Sequence, residues 1–267
     1  MSENAAKDRY TVEAVDRALQ LLEVLAEGRD LGVTELAKRM DVSKTLVFRM
    51  LHTLEKRGYV IRDPARRTNA LGYRILYLAN AVEHHDMLVG TANPILDELA
   101  LACRENVNFL IRDGLSSLCV ATRESSHQIR LFAEVGRHGP LHAGGGSKVL
   151  LAYAPPDLIQ AVLRSKLAVF TQQTVTDPIE LEHVLGKIRA DGFHVSTDDL
   201  DEGAFSIAAP VYGIGSSVVA ALSIAGPVSR FDERAAKHHR RLVLEYAGKL
   251  SSRLGGVIPA AKLDRAS

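Results

Sequence analysis

Between Val33 and Gly58 the chain reads VTELAKRMDVSKTLVFRMLHTLEKRG, and this stretch constrains the fold more than any other. Leu36, Ala37 and Met40 recur at helical spacing, Asp41-Val42-Ser43 interrupts them, and Val47, Met50, Leu51 and Leu54 resume as i, i+3, i+4 and i+7. The expectation is two short helices joined by a tight turn. At about 100° per residue, Thr45, Phe48, Arg49 and His52 fall opposite the apolar face of the second helix, with Lys44 at its edge. Ser43 has the side chain to cap that helix. Hydroxyls, a guanidinium and a ring on one helix face match the major groove of DNA. Arg bonds guanine edges bidentately, Ser and Thr bond bases or phosphates, and a ring touches the thymine methyl.

An ordinary amphipathic surface helix shows the same pattern, so the neighbouring residues decide. From Lys38 to Arg67 nine basic residues stand against three acidic ones, a local excess of six positive charges. After Gly58, in the place of a helix C-cap, Tyr59-Val60-Ile61 reads as a strand, Asp63-Pro64 as a turn and Arg66-Arg67 as a basic tip. That is the outline of a winged helix-turn-helix whose wing tracks phosphates beside the groove. The candidate DNA-binding residues are Ser43, Lys44, Thr45, Phe48 and Arg49 on the helix and Arg62, Arg66 and Arg67 in the wing. Double-stranded DNA is the expected partner.

The basic excess is local. Over 267 residues the net charge is only +1; residues 1–72 carry thirteen basic and eleven acidic side chains, and the remainder twenty and twenty-one. A general polyanion binder is thereby excluded, and any nucleic-acid contact must be focused. Cys103 and Cys119 form no CxxC pair and no ligand cluster, so neither a zinc site nor a disulfide framework is expected, and no cofactor. No apolar run reaches the roughly twenty residues that cross a bilayer, and MSENAAKDRY lacks a signal-peptide core. No membrane partner and a cytoplasmic location are the expectation.

Upstream of the two helices, Val15, Ala18, Leu19, Leu22 and Leu25 form a helical stripe ending near Gly28, a third helix for the small core. Gly72 to Val89 reads as a longer helix with two apolar stripes, one of Ile75, Leu78, Ala79 and Val82, the other of Leu76, Tyr77 and Ala81. Such a helix needs more than one partner, which points to a homodimer. Asn93-Pro94 has the composition of a helix start. Strands are expected at Asn106–Arg112, Leu118–Arg123, Ile129–Ala133, Phe193–Ser196, Ser206–Val211 and Val218–Ile224. Helices are expected at Lys148–Ala152, Asp157–Leu163, Ile179–Ala190 and Asp232–Leu254. Hairpins with helices set aside make an α+β class with an antiparallel sheet. The domain division is a tail at 1–9, a DNA-binding domain at 10–71, a linker helix at 72–90, a ligand-binding domain at 91–258 and a tail at 259–267.

Several pieces in this order resemble the IclR family of bacterial transcription regulators over nearly the full length. They are VDRALQLLEVLAEG, TELAKRM, SKTLVFRMLHTLEKRGYV, LGYRILYLA, GPLHAGGGSKVLLA, TDP at Thr176, IAAPV at Ile207, ALSIAGPVSR at Ala221 and KLSSRLGG. The resemblance implies an amino-terminal winged helix-turn-helix, a linker helix and a carboxy-terminal domain related to GAF/PAS sensors. It also implies dimers often paired into tetramers, operator DNA, and a small organic acid or aromatic effector. By this resemblance the effector lies between the sheet and the glycine-rich loop, against Gly144 and Gly145. Absent side chains there let backbone N–H groups approach an anion. The strand positions that carry an aspartate, a cysteine and two serines in the family hold Ser196, Ser206, Ser223 and Ala225 here. One hydroxyl is kept, the thiol has become a hydroxyl, and an acid and a second hydroxyl are gone. Arg130, on the expected strand at Ile129–Ala133, is a candidate charge for a carboxylate and equally a solvent-facing residue. Asn69, where family wings carry an aromatic, and Phe48, where a polar residue is more frequent, are further departures that bear on the operator.

Two other readings fit parts of the chain. An enzyme is suggested by His142, Gly144-Gly145-Gly146, Ser147 and Lys148, but the stretch matches neither GxxxxGK[ST] nor GxSxG, so no catalytic residue is assigned. A dimer whose carboxy-terminal domain serves only assembly is suggested by the reduced polar set at Ser196 and Ala225.

Overall fold

The structure is a computed structural model that describes residues 11–28, 30–85, 87–131 and 134–256. The tails expected at 1–9 and 259–267 lie outside the described residues. The chain divides into two compact units between Asp86 and Met87, within the stretch expected as a linker helix.

In the first unit, α1 (Glu13–Glu27), α2 (Val33–Arg39) and α3 (Lys44–Lys56) precede a two-stranded wing of β1 (Val60–Asp63) and β2 (Thr68–Leu71), and α4 (Arg74–His85) follows. Leu21, Leu25, Leu36, Ala37, Met40, Val47, Met50, Leu51 and Val60 close one core. The α2 and α3 faces are those the spacing predicts. The α1 stripe is not: Leu21 and Leu25 are buried, whereas Val15 and Leu19 remain more than half exposed. Helix α1 carries apolar residues on two sides, and periodicity alone does not say which side meets α3. Gly58 ends the helical run in the left-handed conformation, at φ 77°.

The second unit is a six-stranded antiparallel sheet in the order β5-β4-β3-β8-β7-β6 between two helical layers. Its elements are α5 (Met87–Cys103), β3 (Asn106–Asp113), β4 (Ser116–Arg123), β5 (His138–Pro140), α6 (Gly145–Ala152), α7 (Pro156–Arg164), α8 (Pro178–Asp191), β6 (His194–Thr197), β7 (Ala204–Tyr212), β8 (Val218–Pro227) and α9 (Glu233–Arg253). Strand alternation splits the apolar residues between two cores. Phe109, Ile207, Ala209, Leu222 and Ile224 face α5 and α9. Ala208 and Ala221 face α6, α7 and α8, with Leu110 partly buried against them.

Two expectations fail here. Pro94 lies inside α5 rather than at a helix start. Val89, Ala92, Ile95, Leu96 and Leu99 are all buried on that helix, and this packing outweighs the single hydrogen bond a proline removes. Residues 129–131 are not a strand. Their carbonyls are taken by side chains: Arg230 Nη1 donates to Ile129 O at 3.0 Å, and Asn106 Nδ2 donates to Leu131 O at 3.1 Å. The edge strand on β4 is instead β5, with Ser116 opposite Pro140 and Leu118 opposite His138. Phe132 and Ala133, the end of the expected strand, lie outside the described residues.

Candidate functional site

Helix α3 begins where Ser43 Oγ accepts the Leu46 N–H at 3.2 Å, the cap its sequence predicts. Because Val47, Met50 and Leu51 face the core, Lys44, Thr45, Phe48, Arg49 and His52 are left exposed. Arg62 on β1 sets its guanidinium 5.3 Å from the centroid of the Phe48 ring, which ties the wing to the outer face of α3. At the wing tip the Asp63 carboxylate accepts the N–H groups of Ala65 at 2.9 Å and Arg66 at 3.0 Å. Arg66 reaches Asp30 and Asp63 only at 3.8 Å and stays 71% exposed, so both pairs are weak and the side chain is available. Among the described residues Lys44, Arg49 and Arg67 have no ion-pair partner. Asn69 is buried, and both its backbone N–H and its Nδ2 donate to Leu31 O at 3.0 Å. Its place in the wing is therefore that of an internal tether.

In the second unit a cavity of about 330 Å³ opens between the sheet and the loop that starts α6. Gly144, Gly145, Ser196, Ser206 and Ser223 line it, as does Ala225. Gly145 has to be glycine: a Cβ there would sit 2.7 Å from Ser206 Oγ. The two glycine N–H groups are already engaged within the chain. Gly144 N donates to Asp199 Oδ2 at 2.7 Å, and Gly145 N donates to Ser206 Oγ at 2.8 Å.

Arg130 is elsewhere. Its guanidinium bonds Glu124 at 2.9–3.0 Å, and it is not part of the cavity wall. The arginine that does line the cavity is Arg137, just before β5. The acid and the thiol missing from the strand positions return from other segments. Asp199, in the loop after β6, lines the wall, and its Oδ2 also accepts from Ser196 Oγ at 2.8 Å and Lys148 Nζ at 2.7 Å. Cys119 comes from β4, and burial pushes its thiol up to about 11, so it stays protonated. Asn108 completes the polar wall, while Leu110, Leu131, Phe170 and Leu200 supply apolar surface. In the sequence Asp199 stands among Asp198, Asp201 and Glu202, and no local signal marks it as the acid that pairs with Lys148.

Beside the wall, His194 on β6 is held down to about 4, first by burial and then by the Lys148 ammonium, with Asp199 opposing. Its Nε2 is buried without a hydrogen-bond partner among the described residues. The remaining groups of the enzyme reading are committed to the fold: His142 Nε2 lies 2.9 Å from Ala168 O, and Ser147 Oγ lies 2.8 Å from Ser117 Oγ. Among the described residues no cluster suited to a metal ion occurs, and no helix is long and apolar enough to cross a membrane.

Comparison with known proteins agrees with both halves. The family described as IclR helix-turn-helix domain matches residues 14–64, and that described as bacterial transcriptional regulator IclR C-terminal matches residues 79–252. The HTH-type transcriptional regulator BhcR of Paracoccus denitrificans is 33% identical over 247 residues, covering 92% of this chain and 88% of its own. An IclR transcriptional regulator from Alicyclobacillus acidocaldarius has the same fold, with TM-score 0.82, 26% identity and coverage of 91% and 99%. So does an IclR homologue from Microbacterium hydrocarbonoxydans solved in complex with 4-hydroxybenzoate, with TM-score 0.77, 21% identity and coverage of 91% and 99%.

Proposed function

The chain belongs to the IclR family of bacterial transcriptional regulators, and from that premise we propose that it binds operator DNA through α3 and its wing and a small organic acid or aromatic molecule in the cavity of its second unit. The observation that carries the DNA half is the capped α3 with Thr45, Phe48 and Arg49 outward and Arg62 stacked beside them. Arg49 reads base edges; Lys44, Arg66 and Arg67 hold phosphates.

The cavity supports a ligand reading over one in which the second unit serves only assembly. Ser223 lines the wall, and its hydroxyl has no hydrogen-bond partner among the described residues, which leaves it open to a ligand in the cavity. A homologue of the same fold holds 4-hydroxybenzoate, an aromatic acid, and the apolar and polar lining here accommodates a molecule of that kind. A homodimer or tetramer is supported by apolar side chains left open on α1 and α4, where Val15, Leu19, Leu76 and Tyr77 are all more than half exposed. The test is a gel-shift assay on DNA upstream of the protein's own coding region, with and without metabolite extract. Retarded DNA that extract alters is the expected result; indifference to every genomic fragment over random competitor refutes the reading.

A further inference from the structure

The inner end of the cavity is built as an anion site, and the chain occupies it with its own carboxylate. The Gly144 N–H at the start of α6, the Lys148 ammonium and the Ser196 hydroxyl converge on Asp199 Oδ2 at 2.7, 2.7 and 2.8 Å. Helix N-terminal N–H groups beside a lysine and a hydroxyl are what a carboxylate or phosphate from solution would seek. Asp199 and Lys148 are 4% and 3% exposed, so this arrangement is interior and its charge is cancelled within it.

Around this end of the cavity three uncharged polar side chains remain unspent on the wall. Ser223 Oγ has no partner among the described residues. Asn108 accepts Thr122 Oγ1 at 2.9 Å with its amide oxygen, which leaves its NH2 group to donate. Ser206 accepts the Gly145 N–H at 2.8 Å, which leaves its own O–H to donate. Glu134 and Asp201 add two acidic residues to the lining, and Arg137 a basic one. A second carboxylate brought to the α6 end would meet Asp199 at short range with its cationic partners already shared.

We propose that Asp199 sets the specificity of the cavity by standing in the anion position, so that the effector presents an uncharged, hydroxyl-bearing group to the α6 end. Any carboxylate on the same molecule is met by Arg137. This inference rests on the cavity being the effector site.

Isothermal titration of the full chain with acetate tests it. Wild-type protein binds acetate weakly, and Asp199→Ala, which leaves Lys148, Gly144 N–H and Ser196 without their carboxylate, binds at least tenfold more tightly. Adding Lys148→Met to that variant abolishes the gain. If Asp199→Ala does not fold, Asp199→Asn keeps an oxygen on the Gly144 N–H while removing the charge. It shifts the ratio of benzoate to benzyl alcohol affinity at least tenfold toward benzoate. Acetate binding equal in wild type and Asp199→Ala overturns the inference, as does an unchanged benzoate ratio in Asp199→Asn. Operator release by metabolite extract reads the effector function separately. Release by extract with no acetate gain sinks only the role of Asp199, and an acetate gain with no release sinks only the effector reading.

Discussion

Arg49 and Arg66 carry the same charge into different work. Arg49 projects from the exposed face of α3, the face proposed to enter the groove, while Arg66 sits 71% exposed at the wing tip with only distant acidic neighbours. Arg49→Ala is expected to cost about 1–3 kcal/mol on a cognate site and little on random DNA. Arg66→Ala weakens binding to all sequences and lowers the slope of log K against log salt by about 1. Fluorescence anisotropy on cognate and scrambled duplexes between low and moderate salt separates the two. His194 gives a second test at this scale. Its imidazole falls from an ordinary value near 6.5 to about 4, so between those values the unfolded chain takes up a proton that the folded chain refuses. Its contribution is complete above about pH 6.5 and is lost as pH falls toward 4, a total of about 3 kcal/mol. His239, also lowered by burial, acts in the same direction. Urea denaturation of wild type and His194→Gln across that range shows a flatter pH dependence in the variant; parallel curves would deny His194 this role.

At the scale of elements, what was legible in the sequence follows how locally each element is determined. The pair α2–α3 and the wing are encoded within about forty residues by helical spacing, a serine cap, a glycine stop and an Asp-Pro turn, and each signal sits where its effect is felt. The cap is open to measurement: Ser43→Ala leaves the Leu46 N–H without its acceptor and is expected to lower the stability of the first unit by about 1 kcal/mol, read by thermal melting. The cavity was legible only in part. Gly144, Gly145, Ser196, Ser206 and Ser223 lie on regular elements or at their ends, where a family pattern transfers position by position. Asp199 and Arg137 lie in connecting segments whose path depends on distant contacts. Asp198, at φ 53°, turns the chain just before Asp199, and nothing in its neighbours announces that the next carboxylate turns inward to Lys148. Arg130 sits in an alternating sequence pattern that the side-chain bonds of Asn106 and Arg230 override. The same competition governs Pro94, where burial along α5 outweighs a local helix-start signal.

For the whole molecule the consequence of two separate units is that regulation must be a free energy shared between them. An effector seated in the cavity changes operator affinity only if it binds better to the arrangement that holds DNA, or to the one that releases it. The coupling is reciprocal, so the factor by which effector changes operator affinity equals the factor by which operator changes effector affinity. For a typical coupling of about 1–3 kcal/mol that factor lies between roughly 5 and 150. The measurement is a pair of titrations on one preparation: operator duplex into protein with and without saturating effector, and effector into protein with and without saturating duplex. Equal ratios are expected, and unequal ratios at equilibrium would mean that a third species, such as a change in oligomeric state, takes part. That possibility is separable, because light scattering at the same concentrations reports the mass with each ligand present. An effector of the proposed kind would also stabilise the state it binds, by about 2.7 kcal/mol at a hundredfold excess over its dissociation constant. If that stabilisation appears while operator affinity stays fixed, the cavity binds without signalling, and the open apolar faces of α1 and α4 become the place to look for how the first unit is controlled.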